Sequence, residues 1–473
     1  METVATFIPA SPKKVIPIIP YSVKGKFRNT KTAILLLAFI TFFGTPWVVW
    51  HGSSRTGQPI LFDLVHSKMY LFDLTLYPQD LMIFMAVMVF AAALLFMSAT
   101  LYGRIFCGFF CFQTIWTDAF RFIETMVQGE AQARARLKKQ SWNLSKIYKM
   151  GLTHMLWLVL AFATGLTLTL YFGDSRRLFM QVVDGTASAV VLQTIAIVTI
   201  TTYTAAGIAR EEICRVACPY GKFQAIMQDP STRTVMYDVN RGERALGRAA
   251  ADKQLKTAGV RKELGYGDCI ACNYCVNVCP TGVDIRKGFQ IDCISCGLCI
   301  DACDTIMKKI DLPTGLIRFD KMPPNKDIDI AVATSWSKIL KAGYFAVLTI
   351  SATFIAYELA TLEPFSVQVQ QQSQPLSTTL SNGDIKSGYN IRLTNKSSKE
   401  EEYKVYSQGL PKTAVLQNNS FRVPAGKTYN YTFHLVMSAA ASQETSGFHM
   451  SIVPTSDVNA KQEFDLNYIM NRN

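Results

Sequence analysis

Long apolar runs separated by basic and polar stretches fill the chain as far as residue 360 or so, and short alternating segments follow. The run Thr32–Trp50, TAILLLAFITFFGTPWVVW, is long enough to cross a bilayer as a helix, with Trp47 and Trp50 at its outer interface. Further spans are predicted over Leu81–Leu101, Leu152–Phe172, Ala187–Ile208 and Ile339–Leu359. Beyond Glu363 and Pro364, segments such as YNIRLTN, EYKVYS, TYNYTFHLV and GFHMSIVP alternate apolar and polar positions, with turn residues between them. That pattern predicts a small antiparallel β-sandwich of the Ig-like kind. The expected fold class is therefore a multi-domain membrane protein with five transmembrane helices and a C-terminal sandwich.

Composition agrees with spans: 49% of the 473 residues are hydrophobic, and the mean hydropathy is positive. The net charge of +13 could serve nucleic-acid binding, but the basic residues sit beside the apolar runs, as the positive-inside rule requires. Lys13, Lys14, Lys24, Lys26, Arg28 and Lys31 precede the first span against one acid, Glu2. The start lacks the pattern of a cleaved signal peptide. Loop 51–79 balances Arg55 and Lys68 against Asp63 and Asp73. Segment 102–150 is basic, and its stretch EAQARARLKKQ reads as an exposed surface helix. The expected arrangement is a cytosolic start (1–31), a four-helix membrane part (32–208), a cytosolic segment (209–335), a fifth helix (336–362) and an extracytoplasmic sandwich (363–473), in an inner bacterial membrane.

Cysteine usage brings in chemistry. All twelve Cys lie between Cys107 and Cys303, which argues against a disulfide scaffold and places the segments that bear them in a reducing compartment. Within residues 260–310 stand two C-x-x-C-x-x-C-x-x-x-C runs: Cys269, Cys272, Cys275, Cys279, then Cys293, Cys296, Cys299, Cys303. Structural zinc also takes four thiolates, but eight in two runs, with Pro280 after the first, match a bacterial two-cluster ferredoxin. In such ferredoxins the fourth Cys of each run serves the other cluster. The expected sets for two 4Fe–4S clusters are Cys269, Cys272, Cys275 with Cys303, and Cys293, Cys296, Cys299 with Cys279. The second run ends in Cys-Asp rather than Cys-Pro.

Two C-x-x-x-C pairs follow the second and fourth spans, Cys107 with Cys111 and Cys214 with Cys218. Residues four apart share a helix face, so each pair is expected to present both sulfurs to one partner. The repetition suggests two related helical hairpins that bring the pairs together at the membrane edge. Buried small hydrophobes, a regulatory disulfide and a soft-metal or redox site are the three alternatives, and copper is the metal that thiolates would select. His154, with Met150 and Met155 nearby, is expected to be an interfacial histidine rather than a ligand. Met82, Met85, Met88 and Met97 lie at roughly helical spacing and are expected to pack. His51 and His66 have no convincing partners, and the tail, with His434 and His449, is expected to bind or dock without chemistry of its own.

Taken together, the C-x-x-x-C pairs, YDVNRGE (Tyr237 to Glu243), the dicluster runs, the fifth span and the tail with its NGDIKSGYNIRLTNKS stretch resemble the FixG/RdxA (CcoG) family of cytochrome c oxidase accessory proteins. The resemblance implies a membrane-bound iron–sulfur protein of cbb3-type oxidase assembly that reduces Cu(II) to Cu(I), with copper at Cys107, Cys111, Cys214 and Cys218. It would make the protein a cupric reductase, with a cytosolic electron donor and an oxidase subunit or copper chaperone as partners. Two alternatives stand beside it: a relay feeding a periplasmic reductase, as in NapH- and NosR-like ferredoxins, and a non-redox assembly scaffold. The relay would need a further carrier, and no flavin or haem-attachment motif is present.

Overall fold

The computed structural model describes residues 19–51, 56–229, 231–250, 257–321, 330–361, 364–372, 377–381, 383–397, 399–410, 415–417, 420–438, 447–456 and 460–467. Lys13, Lys14, Arg55, Glu363 and Asn382 lie outside the described residues. Among the described residues, five helices are long and apolar enough to cross a membrane, which makes the chain a multi-pass membrane protein. The first is α1 (Lys26–Gly44), which begins one and a half turns before Thr32. Hydropathy misses this polar turn because a distant carboxylate caps it: Asp301 accepts from the backbone N–H of Phe27 at 3.3 Å and of Arg28 at 2.8 Å. Trp47 closes a 3-10 turn after the helix, and Trp50 has left it for a short β-strand.

The second span, α2 (Leu81–Tyr102), stops at Gly103, whose φ of +62° turns the chain. The short α3 (Ile105–Phe109), the amphipathic α4 (Phe112–Gln128) and the basic α5 (Ala131–Lys139) follow. Although α5 reads as an exposed helix, it is only partly so: Ala131, Arg134 and Leu137 are buried, with Arg134 paired to Glu124 at 3.0 Å. The third span, α6 (Leu144–Leu170), is capped by Asn143, whose side chain accepts from the N–H of Lys146 at 2.8 Å. After α7 (Ser175–Val183), the fourth span, α8 (Ala189–Thr202), continues as a π-helical turn to Ala209. The helices α9 (Pro219–Ile226), α10 (Val239–Gly242), α11 (Ala258–Glu263), α12 (Tyr274–Asn277) and α13 (Leu298–Lys309) belong to the cysteine-rich segment. The fifth span is the end of α14 (Ile330–Ala360).

Spans three and four pack closely, for a Cβ on Gly165 would lie 2.8 Å from the Ile195 carbonyl. The first span instead lays Phe39 and Phe42 on Trp116 of α4, whose neighbours Phe120, Trp157 and Ala161 form one core. Phe96 of the second span meets Tyr344 of the fifth. Three of the four methionines expected to pack, Met82, Met85 and Met88, face outward from α2, while Met97 is half-buried.

The chain forms two compact units, residues 1–47 with 86–352, and 48–85 with 353–473. The second unit opens with β1 (Trp50–His51) paired to β2 (Thr56–Gly57) and the meander β3 (Ile60–Asp63), β4 (Lys68–Leu71), β5 (Leu74–Leu76). In the first unit, β6 (Arg233–Tyr237) pairs antiparallel with β7 (Ile317–Lys321). The sandwich comprises β8 (Phe365–Gln371), β9 (Thr378–Thr379), β10 (Ile385–Asn395), β11 (Glu401–Gln408), β12 (Val415–Gln417), β13 (Ser420–Val423), β14 (Thr428–Met437), β15 (Gly447–Pro454) and β16 (Gln462–Asn467). One sheet has the order β12-β14-β10-β8 with β9 on β10, the other β13-β11-β15-β16. Alternation buries one face of each sheet, and Tyr389, Ile391, Leu393, Phe433, Leu435, Met450 and Ile452 fill the space between. The loop between the first two spans belongs with this unit: Lys396 pairs with Asp80 at 2.6 Å, and Lys68 donates to the Gly426 carbonyl.

Candidate functional site

Each cysteine run folds as a tight loop entering a short helix, α12 for the first and α13 for the second. The two loops turn at matching places. Ala271 and Asn273 have φ of +52° and +56°, while Ser295 and Gly297 have +51° and +72°. These left-handed residues stand two and four positions after the first Cys of each run, and they curl three thiols inward. One cavity is lined by Cys269, Cys272, Cys275 and Cys303. A second is lined by Cys279, Cys293, Cys296 and Cys299. The fourth cysteine of each run thus sits on the other run's cavity. Among the described residues no three His, Cys, Asp or Glu side chains gather round a single ion. A hole ringed by four thiols suits a multi-atom cluster better than one zinc ion, which would draw the sulfurs together.

Burial pushes the Cys275 thiol up to about 11 and that of Cys293 to about 12, and it raises Cys299 and Cys303 as well. Thiols so placed need a cation to become thiolates, and iron would supply that charge. Polar groups are already aimed at the sulfurs: the N–H of Val283 donates to Cys279 Sγ at 3.3 Å. The donor set, the paired cavities and the N–H groups fit two iron–sulfur clusters.

The YDVNRGE stretch braces the first loop. Tyr237 ends β6, and its hydroxyl hydrogen-bonds Glu243 at 3.2 Å and Cys269. Arg241 and Arg244 hold Asp268, the residue before Cys269, at 2.7 and 3.2 Å. Gly242 and Gly267 permit this approach, since a Cβ on Gly267 would lie 1.8 Å from the Gly242 carbonyl oxygen.

The thiol pairs do not each share one helix face. Cys107 lies in α3 while Cys111 is the N-cap of α4, so the chain bends between them. Cys214 lies in the π-helical turn Ile213–Ala217, and Cys218 follows it in extended backbone before Pro219. A proline there starts α9 but cannot continue a helix behind it, which is why the face is broken. The pairs nevertheless lie within electrostatic reach of each other, although no three of these thiols converge on one point. Burial raises Cys107 and Cys214 to about 11 each, and both also feel the charge of Cys111 and Cys218. Cys107 donates to Gln224 Oε1 at 2.9 Å. Buried Arg104 reaches the Cys214 carbonyl at 3.4 Å and the Ile291 carbonyl at 2.6 Å. The thiol region abuts the second cavity: a Cβ on Gly108 would sit 2.6 Å from the Ile294 carbonyl and 3.0 Å from Cys296 Cα.

Residues 209–322 match the 4Fe-4S dicluster domain, and residues 355–469 match the Ig-like fold at the C-terminus of FixG. RdxB of Cereibacter sphaeroides is 34% identical over 89% of this chain and 88% of its own, and RdxA of that organism 36% over 83% and 82%. The chain belongs to the FixG/RdxA family. Its nitrogen fixation relative FixG of Rhizobium meliloti is 31% identical over 83% of this chain and 79% of its own. The solved FixG-related protein of Vibrio parahaemolyticus aligns with 24% of the chain at 15% identity and a TM-score of 0.21. With its own dicluster domain and Ig-like tail, the present FixG/RdxA chain is an iron–sulfur electron-transfer protein.

Three of the remaining candidate histidines have ordinary partners, while the buried Nδ1 of His434 has none among the described residues. His154 shares a 2.9 Å hydrogen bond with the Tyr203 hydroxyl and stacks edge-on against Trp157. His66 meets Asp63 at 2.7 Å, and His449 meets Asp465. What sequence reasoning missed in this FixG/RdxA chain is the support around the thiols: Gln224, Arg104 and Gly108. The signal available was weak, a glycine directly after a cysteine and an arginine just before the pair.

Proposed function

We propose that the protein reduces Cu(II), taken as substrate at Cys107, Cys111, Cys214 and Cys218, to Cu(I) for assembly of a cbb3-type oxidase. In this reading Cys269, Cys272, Cys275 and Cys303 hold one 4Fe–4S cluster, and Cys293, Cys296, Cys299 and Cys279 the other. Bound clusters supply one electron at a time, and the reduction of Cu(II) to Cu(I) takes one. The electron comes from a cytosolic one-electron donor, and thiolates favour the reduced ion that results. The observation that carries the reading is the close docking of α3, with Cys107, on the Ile294–Cys296 loop of the second cavity. Copper loading must displace the protons that burial keeps on Cys107 and Cys214. The proposed topology has the N-terminus and dicluster domain cytosolic and the sandwich in the periplasm. It gains support from the pairing of Lys396 with Asp80, since the loop between spans one and two must share the sandwich's side. The sandwich would then meet an oxidase subunit or a copper chaperone.

The test is anaerobic. Clusters of the purified protein are bleached with a reductant, Cu(II) is added, and reoxidation is followed beside a Cu(I)-specific chelator. Cu(I) should appear in step with reoxidation and fall to background in protein with Cys107, Cys111, Cys214 and Cys218 changed to Ser. Equal rates in both proteins would sink the copper site and favour the relay or scaffold.

A further inference from the structure

A cavity of about 140 Å³ lies where α1 begins, bounded by Tyr21, Arg28, Arg121 and Thr125 of α4, Arg134 of α5 and Pro280 beside Cys279. Three guanidinium groups and one carboxylate, Asp118, line it. The ion pairs behind these walls do not balance. Arg28, Lys31, Arg121, Arg134 and Arg210 share three carboxylates, Asp118, Glu124 and Glu211. Asp301 is engaged by backbone N–H groups at the start of α1, Glu130 accepts from Ser22 Oγ on the cavity wall, and Lys138 adds a further cation near Glu124. Burial, then the neighbouring Arg210, pulls Arg121 down to about 10, a sign of crowded positive charge. Two buried donors on the cavity's own residues, Arg121 Nε and Arg134 Nε, have no hydrogen-bond partner among the described residues. These N–H groups are sealed from the cavity itself, so it is the net positive charge of the walls that an anion in the cavity complements.

We infer that this cavity is a binding site for a phosphate group. Guanidinium forks match phosphate oxygens in pairs, and the excess charge matches a dianion or a phosphodiester with a neighbour. The group could arrive on an anionic lipid or on a soluble phosphorylated compound, and the surroundings favour the lipid. The cavity sits at the end of a membrane span, and Phe122 on its wall is 65% exposed, placed to meet an acyl chain. Nothing in the copper reading requires this site. Occupancy would brace α1 and α4 against Pro280, the neighbour of Cys279.

The full-length protein, purified with its clusters and stripped of lipid, is titrated with phosphatidylglycerol in detergent and followed by native mass spectrometry. A second arm titrates pyrophosphate against the protein in phosphatidylcholine nanodiscs by calorimetry. Two variants accompany each arm: Arg28→Gln, which removes one wall cation, and Thr125→Glu, which adds a negative charge to the wall and removes no existing ion-pair partner. Saturable binding of phosphatidylglycerol, weakened about tenfold or more in both variants, establishes the site with a lipid source. Saturable binding of pyrophosphate with the same sensitivity establishes it with a soluble source. The inference is overturned if neither probe saturates, or if both variants bind as the parent does with unchanged circular dichroism.

Discussion

At the scale of single residues, closeness is set by glycines and tuning by a tyrosine. Gly108 lets α3 lie on the backbone of the second cysteine loop, and its neighbour there is a carbonyl that cannot rotate away. Gly108→Ala should therefore force the two apart, costing about 1–3 kcal/mol of stability. Cluster reoxidation by Cu(II) should slow while iron content stays near that of the parent; thermal unfolding and stopped-flow absorbance would measure the two effects. Tyr237 places its hydroxyl on Cys269 and Glu243 from a buried strand end. Hydrogen bonds to cluster sulfurs help set reduction potential. Tyr237→Phe is expected to keep both clusters but lower the midpoint potential of one, read by redox titration of the reduced-cluster EPR signal. Unchanged potentials would make Tyr237 a packing residue only.

At the scale of elements, buried ion pairs fasten α4 to its neighbours. Burial alone would raise the Asp118 carboxyl, but Lys31 and Arg28 outweigh it and hold the group below the usual aspartate range. Glu124 is likewise held low against burial by Arg210 and Arg134. A carboxylate depressed in the folded state adds stability that is complete above its unfolded pKa, about 3.9 for aspartate, and is lost as pH falls through the folded value. The first unit should accordingly unfold as pH drops below about 4, and Asp118→Asn should flatten that dependence. The same substitution should cost about 3–5 kcal/mol at neutral pH, because it strands Lys31 beside Arg28 without a counter-charge. Chemical denaturation at a series of pH values decides both points.

At the scale of the whole molecule, two units rest on different physics. The sandwich has its own hydrophobic core and no cysteine, whereas the dicluster segment surrounds two cavities with thiols whose burial opposes their ionisation. Removal of iron by a chelator under mild acid should lower the melting temperature of the first unit and leave the second unmoved. Residues 355–469 expressed alone should still unfold cooperatively, but at a lower temperature than in the full chain, because Lys396 loses Asp80 and the Gly426 carbonyl loses Lys68. Calorimetry of the two preparations measures this, and a single iron-dependent transition covering both units would refute it.

Much of this protein is legible in one dimension. Spans announce themselves because a bilayer demands about twenty apolar residues in a row. The sandwich shows through alternation, and the cluster loops through cysteine spacing that reports a local turn. YNIRLTN, for example, buries Ile391 and Leu393 as its period requires. Other features depend on partners far away in the chain. The polar first turn of α1 exists because Asp301 caps it from 273 residues away. The break between Cys107 and Cys111 and the joining of loop 48–85 to the sandwich likewise came only from tertiary structure. Local periodicity records what a segment buries, and long-range contacts decide against what.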